Sequence, residues 1–157
     1  MPQTYEFGEF VERVQAMQED FPGDMGEALE TCDPIILDGI KQNFATASSA
    51  GGVAWPKRKD PRPTHPLLDK TGGFKTAATS DMGSLKVIED NTYTRAMIPG
   101  ESGTSLAGIR RHQFGDRAVL GRDGILPRPY FGISEDTVDK CVEVIADAAM
   151  ANLLEHI

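Results

Sequence analysis

Catalysis or metal binding in this chain would have to be built from three histidines, two cysteines and a set of aspartates. His65 precedes Pro66, His112 follows Arg110 and Arg111, and His156 is next to last. An imidazole acts as a base or a ligand only beside a nucleophile, a carboxylate or further ligands. Histidines this scattered predict no such cluster. Cys32 and Cys141 lack the Cys-x-x-Cys and Cys/His patterns of metal and redox sites. Each falls in a helical pattern among apolar neighbours. Buried free thiols are therefore expected in preference to a disulfide, which suits assembly in a reducing cytoplasm. Asp33, Asp38, Asp136, Asp139 and Asp147 do not have the spacing of a calcium or magnesium loop and read as caps and solvated faces. There is no Gly-x-Ser-x-Gly elbow, phosphate loop or His-Glu-x-x-His. The expectation is no enzyme, with no catalytic, metal-ligating or cofactor-binding residue.

The remaining candidates are residues that bind protein: Trp55, Lys57, Arg58, Arg110, Arg111, His112, Arg128 and Tyr130. Lys57-Arg58-Lys59 with Arg62 forms a basic cluster in a proline-rich stretch. It reads as a contact for an acidic protein surface or DNA, or more plainly as a solvated loop. Trp55, the only tryptophan, either anchors its loop on the core or meets a partner. The anchor is the preferred reading. Arg128 stands on a stiff segment between Pro127 and Pro129. There it would fork onto a carboxylate of a partner, or pair with an acid of its own chain to fix the entrance to the last helix. The pairing within the chain is preferred. His112 and Gln113 are expected to bond to backbone, and Phe114 and Phe131 to lie in the core.

The elements that must position these residues follow from periodicity. Phe7, Phe10, Val11, Val14 and Met17 predict a first helix, ended by Phe21-Pro22-Gly23. A second runs from about Gly26 to Ala47 on Cys32, Ile36, Ile40 and Phe44, with a break or kink where Asp33 caps Pro34. Ser48 to Pro66, with four prolines after Gly52, is a long loop. Leu67 to Phe74 is a short helix or turn. Strands are expected over Thr76–Met82, Leu85–Glu89 and Thr92–Ile98, forming an antiparallel meander. Leu106–Phe114 reads as a short helix, and Ile125–Gly132 as extended because two prolines bar a helix. Ser134 caps a last helix over 135–155, with Glu135 and Asp136 at its positive end and a stripe of Val138, Val142, Ile145, Ala149 and Leu153. The fold class is α+β: N-terminal helices, a small antiparallel β-sheet, and a long C-terminal helix packed on the sheet.

The chain has 157 residues, enough for one domain over 1–157 with an extended proline- and glycine-rich loop at 48–66. Hydrophobic residues at 39% and charged residues at 25% describe an ordinary globular composition. No apolar run is long enough for a bilayer, and Met1 to Glu6 do not begin a secretory signal. The net charge of -8 argues against a grip on nucleic acid, which relies on lysine and arginine to displace counterions.

The order of landmarks is more specific. A helix ending in Asn43-Phe44 precedes Gly52-Val53-Ala54-Trp55-Pro56. Leu67-Leu68-Asp69-Lys70-Thr71-Gly72-Gly73-Phe74 follows, then Ile109-Arg110-Arg111-His112-Gln113-Phe114-Gly115, then Leu126 to Ser134 ahead of the last helix. This order resembles the phage virion morphogenesis family, the Mu-like tail completion proteins. That family is similar in its G-x-x-W, L-x-x-T-G-x-L, H-Q-F-G and I-P-x-R-P-F-L-G-L-S segments. The likeness spans roughly residues 36 to 157. Phe74 stands where leucine is usual and Tyr130 where phenylalanine is, and Ala96 to Ala107 is longer than usual.

The resemblance implies tail completion at the head–tail junction. Its partners would be phage connector or head-completion proteins and tail tube or terminator proteins. It also implies a homo-oligomeric ring, sixfold by expectation, with DNA passing through without specific binding and no membrane contact. The place is the neck or tail of the virion, assembled in the host cytoplasm. The Ser48–Pro66 loop, the Pro99–Ser105 loop and the N-terminal helix are the segments expected to meet partners. The alternative class is a small cytoplasmic enzyme or ligand-binding domain with an unrecognised site.

Overall fold

A computed structural model describes residues 4–5, 8, 12, 25–100, 104–116 and 124–155. The order of elements is β1 (Thr4–Tyr5), α1 (Gly26–Thr46), α2 (Gly73–Thr79), β2 (Ser84–Glu89), β3 (Thr92–Met97), α3 (Leu106–Phe114), β4 (Ile133–Ser134) and α4 (Glu135–Glu155). The class is α+β. Most of the expected first helix, Phe7 to Met17, lies outside the described residues.

The centre of the fold is the pair α1 and α4. Cys32, Ile36 and Ile40 on α1, and Val138 and Cys141 on α4, have no exposed surface. These residues follow the four-residue and three-residue spacing that places side chains on one helix face. Gly39 sits at the closest approach, where an added Cβ would come 2.5 Å from Thr137 Oγ1. Ser134 caps α4 as expected, its Oγ accepting from the Thr137 N–H at 3.2 Å. The apolar stripe is centred on Val138, Cys141, Ile145 and Ala149, while the side chain of Leu153 lies outside the described residues. The main partner of α4 is α1, and α4 meets β-structure at the antiparallel pair of β1 with β4.

Pro34 does not break α1. The helix runs unbroken from Gly26 to Thr46 with Pro34 inside it, although a mid-helix proline costs about 3 kcal/mol. Asp33 is not a cap either: it is 7% exposed and paired with Arg95 at 2.7 Å. The core residues Cys32 and Ile36 fasten the turn on one side, and this ion pair fastens it on another. Pro34 itself faces outward. Tertiary contacts thus hold a helix that local rules would interrupt. At its end Ala47 takes a left-handed conformation (φ 48, ψ 46), and the Ser48 N–H reaches the Asn43 carbonyl at 3.1 Å.

The expected meander is a two-stranded hairpin. β2 and β3 pair antiparallel from Ser84 with Met97 to Glu89 with Thr92. Asp90 and Asn91 make the turn, both at positive φ (49 and 57), the geometry that suits a tight hairpin. The residues expected as a preceding strand, Thr76–Met82, instead largely form α2. Ala77 and Ala78, strong helix formers, are buried. Thr79 Oγ1 and Ser80 Oγ bond back to the carbonyls four residues earlier, both at 2.6 Å. Gly83 lets the chain pass this helix, since a Cβ there would lie 2.4 Å from Ala77 Cα.

Candidate functional site: a basic pocket beside a side-chain brace

Among the described residues the segment 126–132 has no ladder partner, and its backbone polar groups must find bonds elsewhere. Side chains supply them. Asn43 Nδ2 donates to the carbonyls of Tyr130 at 3.0 Å and Gly132 at 2.9 Å. Gln113 Oε1 accepts from the N–H groups of Tyr130 and Phe131, both at 3.1 Å. Trp55 Nε1 donates to the Pro129 carbonyl at 2.9 Å. The Arg128 N–H donates to the His112 carbonyl at 2.7 Å. Rings fill the space between: Phe44 meets Trp55 edge-on at 5.7 Å, and Phe74 meets Tyr130 edge-on at 5.6 Å.

Several expectations change here. Trp55 is an anchor, 4% exposed, and Tyr130 has no exposed surface. Both are therefore core residues of this chain and present nothing to a partner. Among the described residues Arg128 pairs with no acid. Its Nε donates to the Pro56 carbonyl at 2.9 Å and its Nη2 to the Lys57 carbonyl at 3.4 Å, because the 48–66 loop lies alongside and offers carbonyls. Gln113 bonds to backbone as expected. Phe114 is 71% exposed and not core, whereas Phe131 packs half-buried against the core. Lys57 and Arg110 are exposed, and Arg111 pairs with Asp116 at 3.0 Å.

Three of the expected interface residues come together. Arg58, His112 and Arg128 line one cavity of about 320 Å³ with His65, Lys70 and Phe74. Among the described residues no aspartate or glutamate lines it. Arg58 is held by its Nη2, which bonds the Pro66 carbonyl at 2.7 Å and His65 Nδ1 at 2.8 Å. The His112 ring stands edge-on to Phe74 at 5.2 Å, and its Nδ1 is buried without a hydrogen-bond partner. Burial, then the charges of Arg128 and Arg111, hold the His112 imidazole below its usual range. Burial, then the charge of Arg58, lowers Arg128. These effects describe a pocket at positive potential, which would favour an anionic group. The sequence contained Lys70 and His65 but gave no sign that they would meet Arg128, because loop closure alone brings them together.

A second polar cluster has a different character. Arg95, 3% exposed, donates from Nη2 to both Asp33 oxygens at 2.7 and 3.0 Å and to Asp81 at 2.9 Å. Its Nη1 reaches Ser84 Oγ at 2.5 Å. Tyr93 adds a hydroxyl to Asp33 at 2.5 Å. Burial acts to raise the Asp33 carboxyl, but the bonds from Tyr93 and Arg95 and the charges of Arg95 and Lys86 together hold it below its usual range. Every member is engaged, so the cluster ties β3 to α1 and leaves no group free to react. Cys32 and Cys141 are buried free thiols, and the neighbouring thiol and burial push Cys141 up, away from reactivity. No group of three metal-binding side chains forms among the described residues. Comparisons with protein-family models, with curated proteins and with solved structures find no match for the chain.

Proposed function

We propose that this chain is a structural protein of a tailed-phage virion, acting in tail completion at the head–tail junction. On this reading it binds connector or head-completion proteins on one side and tail tube or terminator proteins on the other. It does so as a ring around the DNA channel, and it is not an enzyme. The observation that carries the reading is the meeting of the motif segments in one brace. Trp55, Phe74, Gln113, Arg128 and Tyr130 come from four separate segments and contact one another or the same short stretch of backbone. One brace gives those segments a common physical reason to occur in this order.

Two further features support it. The net charge of -8 suits a wall that repels phosphates and lets DNA slide past. Lys57, Arg110 and the exposed Phe114 offer contact points on rigid supports near the brace. The test is electron microscopy of lysates from a phage or prophage in which the gene is disrupted. Filled heads beside unattached tails, or tails of abnormal length, are expected. Normal, joined and infectious particles would overturn the proposal.

A further inference from the structure

The basic pocket lacks a counter-charge among the described residues. Among the described residues neither Arg58, Lys70 nor Arg128 forms an ion pair. His112 adds a buried Nδ1 without a partner. Five basic side chains therefore face one cavity in a chain whose 24 acids outnumber its 16 lysines and arginines.

Helix α4 carries the complement. Glu135, Asp139, Glu143 and Asp147 recur four residues apart, and all are exposed. Like charges at this spacing repel one another within a helix. Lys140, the one basic residue among them, is engaged with Asp136 at 2.7 Å. The row forms an acidic ridge along the helix, and the pocket forms a basic socket.

We infer that the pocket receives a carboxylate from the α4 ridge of a neighbouring copy of this chain. Guanidinium and ammonium groups match a carboxylate in charge and donor geometry. A contact of socket on one copy with ridge on the next is heterologous, the class of contact that closes into a ring when the rotation between copies divides a full turn. A DNA phosphate is the rival occupant, and the net charge of -8 opposes it, because a polyanion must approach the whole chain. The inference deepens the self-assembly part of the proposed function and rests on it.

The test is sedimentation equilibrium of the full chain with three samples besides the wild type: Lys70→Glu, Asp139→Lys/Glu143→Lys, and an equal mixture of those two variants. Lys70 and both acids are exposed and form no ion pair among the described residues, so the fold survives these changes, as circular dichroism would confirm. The wild type is expected to self-associate, more weakly at high salt. Each variant alone should associate about tenfold more weakly or worse. The mixture should recover association, since the new lysines of one variant then face the new glutamate of the other, and the unaltered ridge faces the unaltered socket. Arg128→Gln should also weaken association.

A monomeric wild type, unchanged association of Lys70→Glu, or a mixture that fails to recover would overturn the inference. So would salt-sensitive binding of a short DNA duplex that Lys70→Glu abolishes. The wider proposal is judged separately: unjoined heads and tails after gene disruption would stand even if Lys70→Glu assembled normally.

Discussion

The indole of Trp55 donates to the carbonyl of Pro129 at 2.9 Å, pinning the proline-rich loop to the stretch that leads into the last helix. The bond and the ring make separable contributions. Trp55→Phe keeps an aromatic ring beside Phe44 but strands a carbonyl, and should cost about 1 kcal/mol. Trp55→Ala also empties a site that is 4% exposed, and should cost about 3–5 kcal/mol. Urea unfolding followed by far-ultraviolet circular dichroism checks both values. A cost below about 0.5 kcal/mol for the alanine variant would contradict the anchor.

The pair of Asp33 and Arg95 predicts a steep penalty for breaking one side alone. Asp33→Ala leaves a guanidinium buried without its main partner, and about 3–5 kcal/mol should be lost. The double variant Asp33→Ala/Arg95→Met should lose less than the sum, because no unpaired charge remains. Since the folded-state pKa of Asp33 is depressed, its contribution is complete above the unfolded carboxylate range, near about 4. It is lost as pH falls through the lower folded value. Acid unfolding of wild type and Asp33→Asn, compared at equal ionic strength, should show the acid-dependent part shrink in the variant.

His112 titrates in the same sense as Asp33 but over a higher pH range. Burial and two arginines keep its folded-state pKa low, so the unfolded chain takes the proton first. Stability from this group is therefore present above about 6.5 and falls as pH drops from there toward the folded value. His112→Gln should flatten the decline in melting temperature between about pH 7 and pH 5. An unchanged slope would show that His112 is not buried beside those charges.

Cys32 and Cys141 are predicted to be inert in the folded protein. Neither has accessible surface to offer a thiol reagent. A disulfide-exchange dye should report no fast-reacting thiol under native conditions and both thiols in denaturant. Reaction within seconds without denaturant would mean that α1 and α4 part readily.

Periodicity made the long helices legible. The four-residue spacing of Cys32, Ile36 and Ile40 marked α1, and the cap at Ser134 marked the start of α4. The hairpin was legible from its turn at Asp90-Asn91. The errors came where distant residues decide. Asp33-Pro34 has the local form of a helix start, yet Arg95 claims the carboxylate and the core holds the helix through the proline. Thr76 to Thr79 has some strand character, but Ala77 and Ala78 are strong helix formers, and Gly83 leaves room for Ala77 to pack closely against it. Of the site, Arg58, His112 and Arg128 were named from sequence, each for its own local reason. Lys70 and Phe74 joined them only through folding of the 48–74 segment, and Tyr130 proved to be core because Asn43 and Gln113 draw its backbone inward.

The proposed place of this chain is the neck of a tailed particle. Gradient-purified virions carrying a small epitope tag on this chain, labelled with gold and imaged, test it most directly. The account predicts gold confined to the head–tail junction, in particles that remain infectious. Virions without label, while the tagged chain is abundant free in the lysate, would contradict it.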